Sequence, residues 1–345
     1  NTAAGMEDRM KRKIRKVFVI LAAVVLLVLL LVGGYTLYGH IKVNRILSAH
    51  EDPVTTTTQT HTGPKRSVQQ IMIGPLCNNY DNALQTLQNI KASGYDGIEL
   101  NDFMIQKTAL VVKLLTQAAG MPVGNGGNLD WHSLIQESGL EVTGLHSNLG
   151  SIEADPQAVA DLAKSFGTDT VIITGMYRFD YSSEAEVTQL AQRLNDAGRA
   201  LAQEGIQLLY HNHNCELQKV NASQTAYDIL IENTDPDYVN FEFDSYWMAD
   251  GGVDVAKLMQ KLGTRMKKWH VNDRGHVGSG PYMTPILDQD ATELGNGNMD
   301  LEGLYEIAAD NGVDTIVLET HRNWVNGDPI QSIQNSGAYM QEHFN

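Results

Sequence analysis

EGIQLLYHNHNCEL (204–217) is the stretch that decides the fold. Glu204 and Gly205 close a helical pattern, and Ile206–Tyr210 is an apolar run of strand length. His211, Asn212 and His213 follow at once. A glycine that ends a helix and leads directly into an apolar strand is the local chemistry of an α-to-β turn. The same grammar recurs in SGYDGIEL (93–100), SGLEVTGL (138–145) and NGVDTIVL (311–318).

Read outward from these turns, the chain predicts strands at Ile71–Leu76, Gly97–Leu100, Val142–His146, Thr170–Thr174, Ile206–His211, Asn240–Asp244, Lys268–Asp273 and Thr315–Thr320. Amphipathic helical stretches lie between them, among them Asn82–Ala92, Ala158–Ser165, Ala185–Gln203, Gln224–Glu232, Asp254–Leu262 and Leu301–Asn311. Strand–helix units repeated eight times across 68–345 predict an α/β fold of the (β/α)8 TIM barrel type. An open doubly wound sheet has fewer strands as a rule. No G-x-G-x-x-G follows the first strand and no Walker lysine motif occurs, so no nucleotide cofactor is expected.

In a parallel barrel the strand C-termini carry the chemistry. Here the second strand ends near Glu99, the third at His146, and the fifth runs into His211 and His213. The sixth ends at Asp244, the seventh at His270 and Asp273, and the eighth at Glu319. Alternation places His211 and His213 on one face and Asn212 on the other. Singly, each has a plain structural use: a strand-end histidine satisfies a carbonyl, and Asp244 caps the next turn. Several histidines and carboxylates converging on one rim are different. Crowded carboxylates repel, and a divalent cation resolves that repulsion. The mixed imidazole and carboxylate set suits Mn²⁺ best in our reading, with Zn²⁺, Mg²⁺, Co²⁺ or Fe²⁺ as alternatives, and fits Ca²⁺ poorly.

From Ile71 onward the chain resembles the xylose-isomerase-like barrel superfamily, the group usually labelled sugar phosphate isomerase/epimerase. The carriers are GYDGIEL (94–100), LLYHNHNCEL (208–217), FEFDSYWMADGGVD (241–254), KKWHVNDRG (267–275), ELGNGNMD (293–300) and IVLET (316–320). The resemblance implies one divalent metal ion held by His211, Asp244, His270 and Glu319. His211 is a departure, because many sugar epimerases carry Glu there while the YHNH subgroup carries His. Glu99 and His146 fall where relatives contact substrate, and Asp273 is expected to contact substrate or to orient His270. Trp247 and Trp269 are each suited to stacking on a sugar ring or to packing in the core.

The resemblance implies proton abstraction alpha to a carbonyl, with isomerisation, epimerisation or β-elimination as the outcome. Glu319, His146 and His213 are the candidate acid–base residues. His211 breaks the symmetric pair of carboxylates that an epimerase places across one carbon. Three competitors are weaker. A retaining glycoside hydrolase would use Glu99 and Glu319 at about 5–5.5 Å, which leaves the histidines unexplained. A DNA-repair endonuclease needs a basic face. A non-catalytic cell-surface sugar-binding domain has little reason to keep four ligands. No nucleophile elbow is present, since Ser147 in GLHSNLG lacks the G-x-S-x-G frame.

Charge divides the chain. Residues 1–67 hold ten Lys+Arg and four Asp+Glu, a net of +6; residues 68–345 hold fifteen against thirty-seven, a net of −22, and together they give −16. The acidic portion excludes nucleic acid as a partner and favours a neutral or cationic small sugar substrate over a phosphorylated one. VFVILAAVVLLVLLLVGGY (17–35) carries no charge and is long enough to span a bilayer. Six basic residues, Arg9 to Lys16, precede it. We therefore expect a basic cytoplasmic segment (1–16), an uncleaved transmembrane anchor (17–35), a polar stalk (36–67) and an extracellular or periplasmic barrel (68–345). A homo-oligomer is compatible with this plan, and the long connection 274–299 is expected to be a lid or an oligomer contact. Cys77 and Cys215 read as free thiols, with one bridge between them as the alternative.

Overall fold

Lys65–Gln69 forms β1, a strand whose sequence, KRSVQ, looks more like linker than barrel. The reason is where its polar groups go. Ser67 Oγ meets Thr143 Oγ1 at 2.7 Å, the Gln69 amide donates to Glu99 at 3.2 Å, and the buried Arg66 guanidinium donates to the Phe344 carbonyl at 2.9 Å. Cross-barrel hydrogen bonds replace the apolar pattern that a strand usually shows. The expected first strand, Ile71–Leu76, is displaced: Gln70–Ile73 is a short 3-10 turn above β1, with Met72, Ile73 and Leu76 buried.

The computed structural model describes residues 3–52, 61–107, 124, 126–176, 178–275, 291–320 and 323–345. The remaining strands of the barrel are β2 (Gly97–Asn101), β3 (Glu141–Ser147), β4 (Thr170–Thr174), β5 (Gln207–His211), β6 (Val239–Asp244), β7 (Met266–Val271) and β8 (Thr315–Leu318). All pair in parallel and close on themselves: each strand joins the next in sequence except that β8 sits between β7 and β1. This is the expected (β/α)8 barrel.

Among the described residues, eight helices of eight residues or more connect or follow the strands, and each of these opens on a side-chain cap. Asn79, Asp130, Asp155, Ser183, Thr225, Asp254, Asp300 and Asp328 accept from the first turns of the helices beginning at Tyr80, Trp131, Pro156, Glu184, Ala226, Val255, Leu301 and Pro329. Each cap is worth about 1 kcal/mol. The four turn glycines that motivated the reading, Gly94, Gly139, Gly205 and Gly312, all have positive φ, between 70° and 88°. That is where a side chain would be strained. Helix faces bury Leu87, Ile90, Leu134, Leu190, Leu194, Leu230 and Met259 against outward-facing strand residues such as Ile98, Val171, Leu208 and Phe243.

Two compact units divide the chain at Ala49 and His50. The first is one helix, Ala3–Ala49, long and apolar enough to cross a membrane, with exposed side chains from Val17 to Leu31. Helix continues to Ala49 where a stalk from 36 was expected, and the stalk's last residues, Lys65–Ser67, belong to β1. His50 and His61 are fastened to the barrel, at 2.8 Å from the Asp328 carboxylate and 2.9 Å from that of Asp96. The Thr-rich run, residues 55–58, and the middle of the 274–299 connection, residues 276–290, lie outside the described residues. Both cysteines are free thiols.

Candidate metal centre

Barrel register brings the strand-end side chains to one place. Asp244 pairs with His270 across β6 and β7, and His211 pairs with Glu242 across β5 and β6. His211, Asp244, His270 and Glu319 are all buried, and each offers a ligand atom within 4.8 Å of the others. These are the four residues expected as ligands.

Local structure fixes each of them. Asn212 carries on the β5–β6 ladder with its side chain: its Oδ1 accepts from Asp244 N and its Nδ2 donates to Asp244 O, both at 3.0 Å. Asn272 makes the donating half of such a bridge between β7 and the end of β8, its Nδ2 donating to the Glu319 carbonyl at 2.6 Å. Asp244 caps the helix Ser245–Asp250 through Oδ1, which accepts from Trp247 N at 2.8 Å. Capping through Oδ1 leaves the other carboxylate oxygen available as a ligand atom. His270 Nδ1 faces Glu319 Oε2 at 2.9 Å.

Electrostatics favour a cation here. Burial, then the neighbouring Glu319 carboxylate, pushes Asp244 up to about 8, with His270 only partly offsetting them. His270 is held well above the usual imidazole range, because Glu242, Glu99 and Glu319 outweigh its burial. His211 is lowered by burial and by the charge of His270. Two imidazoles and two carboxylates, buried and sharing protons to limit their repulsion, fit a divalent transition metal.

Behind this set lies a second group that sequence reading only half found. Glu99, His146, Glu242 and His270 also bring ligand atoms within 4.8 Å of one another. Glu99 is fully buried and accepts from Gln69, His146 and His270. Burial draws the His146 pKa down, but the charges of Glu99 and Glu242 raise it to about 10. In the metal-free chain this favours the protonated ring, which donates to both carboxylates. Glu242 was not singled out from sequence, although its signal was present: in FEFD (241–244), alternation puts it on the face of Asp244.

The other expected site residues divide. His213 is half-buried beyond the end of β5, its ring centroid 5.1 Å from that of His211 and 5.3 Å from that of Trp247. His213 and Trp247 thus flank the four-residue cluster. Trp269 is core: fully buried, it packs on Phe344 and donates to Ser245 Oγ at 2.9 Å. Asp273 does not support His270. Its carboxylate accepts from the backbone N–H groups of Arg274, Gly295, Gly297 and Met299, at 2.8, 2.9, 2.9 and 3.2 Å, and so organises the ELGNGNMD turn. A hydrolase pair of Glu99 and Glu319 is also excluded by geometry, because the His270 ring stands between them, Nε2 to Glu99 and Nδ1 to Glu319.

Residues 87–343 match the family described as xylose isomerase-like TIM barrel, and the chain belongs to that family. An inosose dehydratase from Clostridium perfringens is 24% identical over 188 residues, 51% of this chain and 60% of that protein. The chain thus spans well under two thirds of the length of this curated relative. Among solved structures, a sugar phosphate isomerase/epimerase from Parabacteroides distasonis superposes with a TM-score of 0.64 at 18% identity, covering 84% of this chain and 98% of that one. The IolI protein, solved with a bound zinc atom, gives a TM-score of 0.56 at 16% identity over 81% of this chain and 98% of its own. These structural likenesses are likenesses of fold.

Proposed function

We propose that this chain is a divalent-metal-dependent lyase that removes water from an unphosphorylated keto-sugar or keto-cyclitol, by abstracting the proton alpha to the carbonyl. The observation that carries the reading is the four-residue cluster of His211, Asp244, His270 and Glu319, buried in a barrel whose sequence relatives include inosose dehydratases. When bound, the cation supplies Lewis-acid polarisation of the substrate carbonyl.

Protein groups do the rest. Glu319 is the most accessible of the four ligands, at 7% exposure, and is the base in this scheme. His213, on the open side beside Trp247, protonates the departing β-hydroxyl, which leaves as water. His146, held as a cation by Glu99 and Glu242, stabilises negative charge that develops on the substrate. Trp247 offers an apolar face for the ring. Elimination suits this asymmetric set, one carboxylate base and one imidazole acid, better than epimerisation, which uses two matched bases across one carbon. The net charge of −22 on residues 68–345 supports an unphosphorylated substrate.

The location reading extends this proposal. The apolar helix serves as a membrane anchor, with the basic N-terminal segment cytoplasmic and the barrel on the opposite side.

The test is a panel of unphosphorylated keto-sugars and keto-cyclitols incubated with the full chain in detergent and D₂O. The proposal expects a chelator-sensitive rise in the ultraviolet absorbance of a conjugated ketone. Deuterium uptake at the alpha carbon without loss of water would assign isomerisation instead. Turnover untouched by chelator would reject the metal-dependent scheme.

A further inference from the structure

Glu242 precedes Asp244 by two residues on β6, so both carboxylates enter the barrel interior, Asp244 at the cluster and Glu242 one pleat deeper. It is fully buried, and a single oxygen, Oε2, faces three rings from three other strands: His211 Nδ1 at 3.1 Å, His270 Nε2 at 3.1 Å and His146 Nε2 at 3.3 Å. We propose that Glu242 is a positioning residue that fixes opposite tautomers on the two imidazole ligands, N–H at Nδ1 of His211 and N–H at Nε2 of His270. The inference rests on the reading of the four-residue cluster as a cation site.

A carboxylate oxygen shared by ring nitrogens accepts, so each nitrogen that faces it carries hydrogen. His211 then keeps its lone pair on Nε2, and His270 keeps its lone pair on Nδ1. For His270 that atom is the one that meets Glu319 inside the cluster. Two ligands arriving from different strands thus present opposite nitrogens; Glu242 sets that of His211 alone and that of His270 together with Glu99, whose Oε1 lies 3.0 Å from His270 Nε2. Nothing else among the described contacts fixes the His211 ring through Nδ1. A carboxylate behind a ligating histidine orients the ring and raises its basicity, and losing one lowers metal affinity by about 10–100-fold.

The alternative use of the same residues is a second cation among Glu99, His146, Glu242 and His270. That cation would need a lone pair on the His270 nitrogen which the tautomer assignment protonates, so the two readings exclude each other.

Co²⁺ binding to the full chain in detergent separates them. Affinity is measured by chelator competition for wild type, Glu242→Gln and Glu242→Leu, alongside the melting temperature of each metal-free protein. Paramagnetic proton NMR in H₂O and D₂O counts exchangeable ring N–H signals from the ligands. The inference expects one Co²⁺ and two such signals in wild type. It expects affinity about 10–100-fold weaker in both variants, with the His211 signal lost or exchanging rapidly in Glu242→Leu while Glu99 still holds that of His270. Unchanged affinity in the folded variants, or weaker affinity with the His211 signal intact, overturns the role of Glu242. Two Co²⁺ ions per wild-type chain overturn it in favour of a bridged pair. Wild type that binds no Co²⁺ overturns the cation site itself and the inference with it.

Discussion

Asp244 and His146 set the behaviour of the metal-free protein towards pH. Both have folded-state pKa values above their ordinary ones, Asp244 at about 8 and His146 at about 10. The folded chain therefore holds protons that the unfolded chain releases. Their contribution to stability is complete below the ordinary values, near 3.8 and 6.5, and is lost as pH rises through 8 and then 10. Denaturant titrations of the metal-free chain should show stability falling as pH rises from about 5 to 8, by up to roughly 1 kcal/mol per pH unit for each proton. Asp244→Asn should flatten that slope, and a slope identical to wild type would contradict the assignment. His213 is placed as the acid: His213→Gln should lower kcat by about 10²–10⁴-fold and leave metal content unchanged. Loss of metal in that variant would make His213 a ligand. At this scale the sequence was legible wherever a titratable residue ends a strand, and the resemblance picked out from those residues the four whose polar atoms lie within 4.8 Å of one another. It misled at Asp273, because nothing in KKWHVNDRG shows that the carboxylate turns towards backbone N–H groups some twenty residues later in the chain.

Elements explain what local patterns can and cannot reveal. The helix caps and the positive-φ glycines are written in adjacent residues, so the repeating unit could be read directly. β1 could not, because its interior residues Ser67 and Gln69 are satisfied by Thr143, Glu99 and Asn101 on other strands, and a pattern search sees only polarity. Apolar Ile71–Leu76 drew the assignment six residues downstream. The same logic gives a test at the turn after β7. Asp273→Asn removes a charged acceptor from four backbone N–H groups and should cost about 2 kcal/mol of stability. Cation affinity should stay within about twofold, because the described contacts of the Asp273 carboxylate are with backbone N–H groups of the turn and not with the four ligands. A loss of affinity comparable to that of Glu242→Leu would restore Asp273 as a support of the centre.

For the molecule as a whole, an acidic barrel with a proposed metal centre shares one chain with a helix that has the composition of a membrane anchor. In sealed vesicles the proposed topology places the barrel on the side opposite the basic N-terminal segment. Protease added on that side should release a fragment beginning between Ala49 and Lys65, and protection of the barrel would reverse the orientation. The central claim is the metal, and elemental analysis of the purified full chain tests it most directly, with Asp244→Ala/His270→Ala measured in parallel. The account predicts about one equivalent of a divalent transition metal in wild type and none in the double variant. Wild type that stays metal-free after incubation with Mn²⁺ or Zn²⁺, or a double variant that retains the full equivalent, would contradict it.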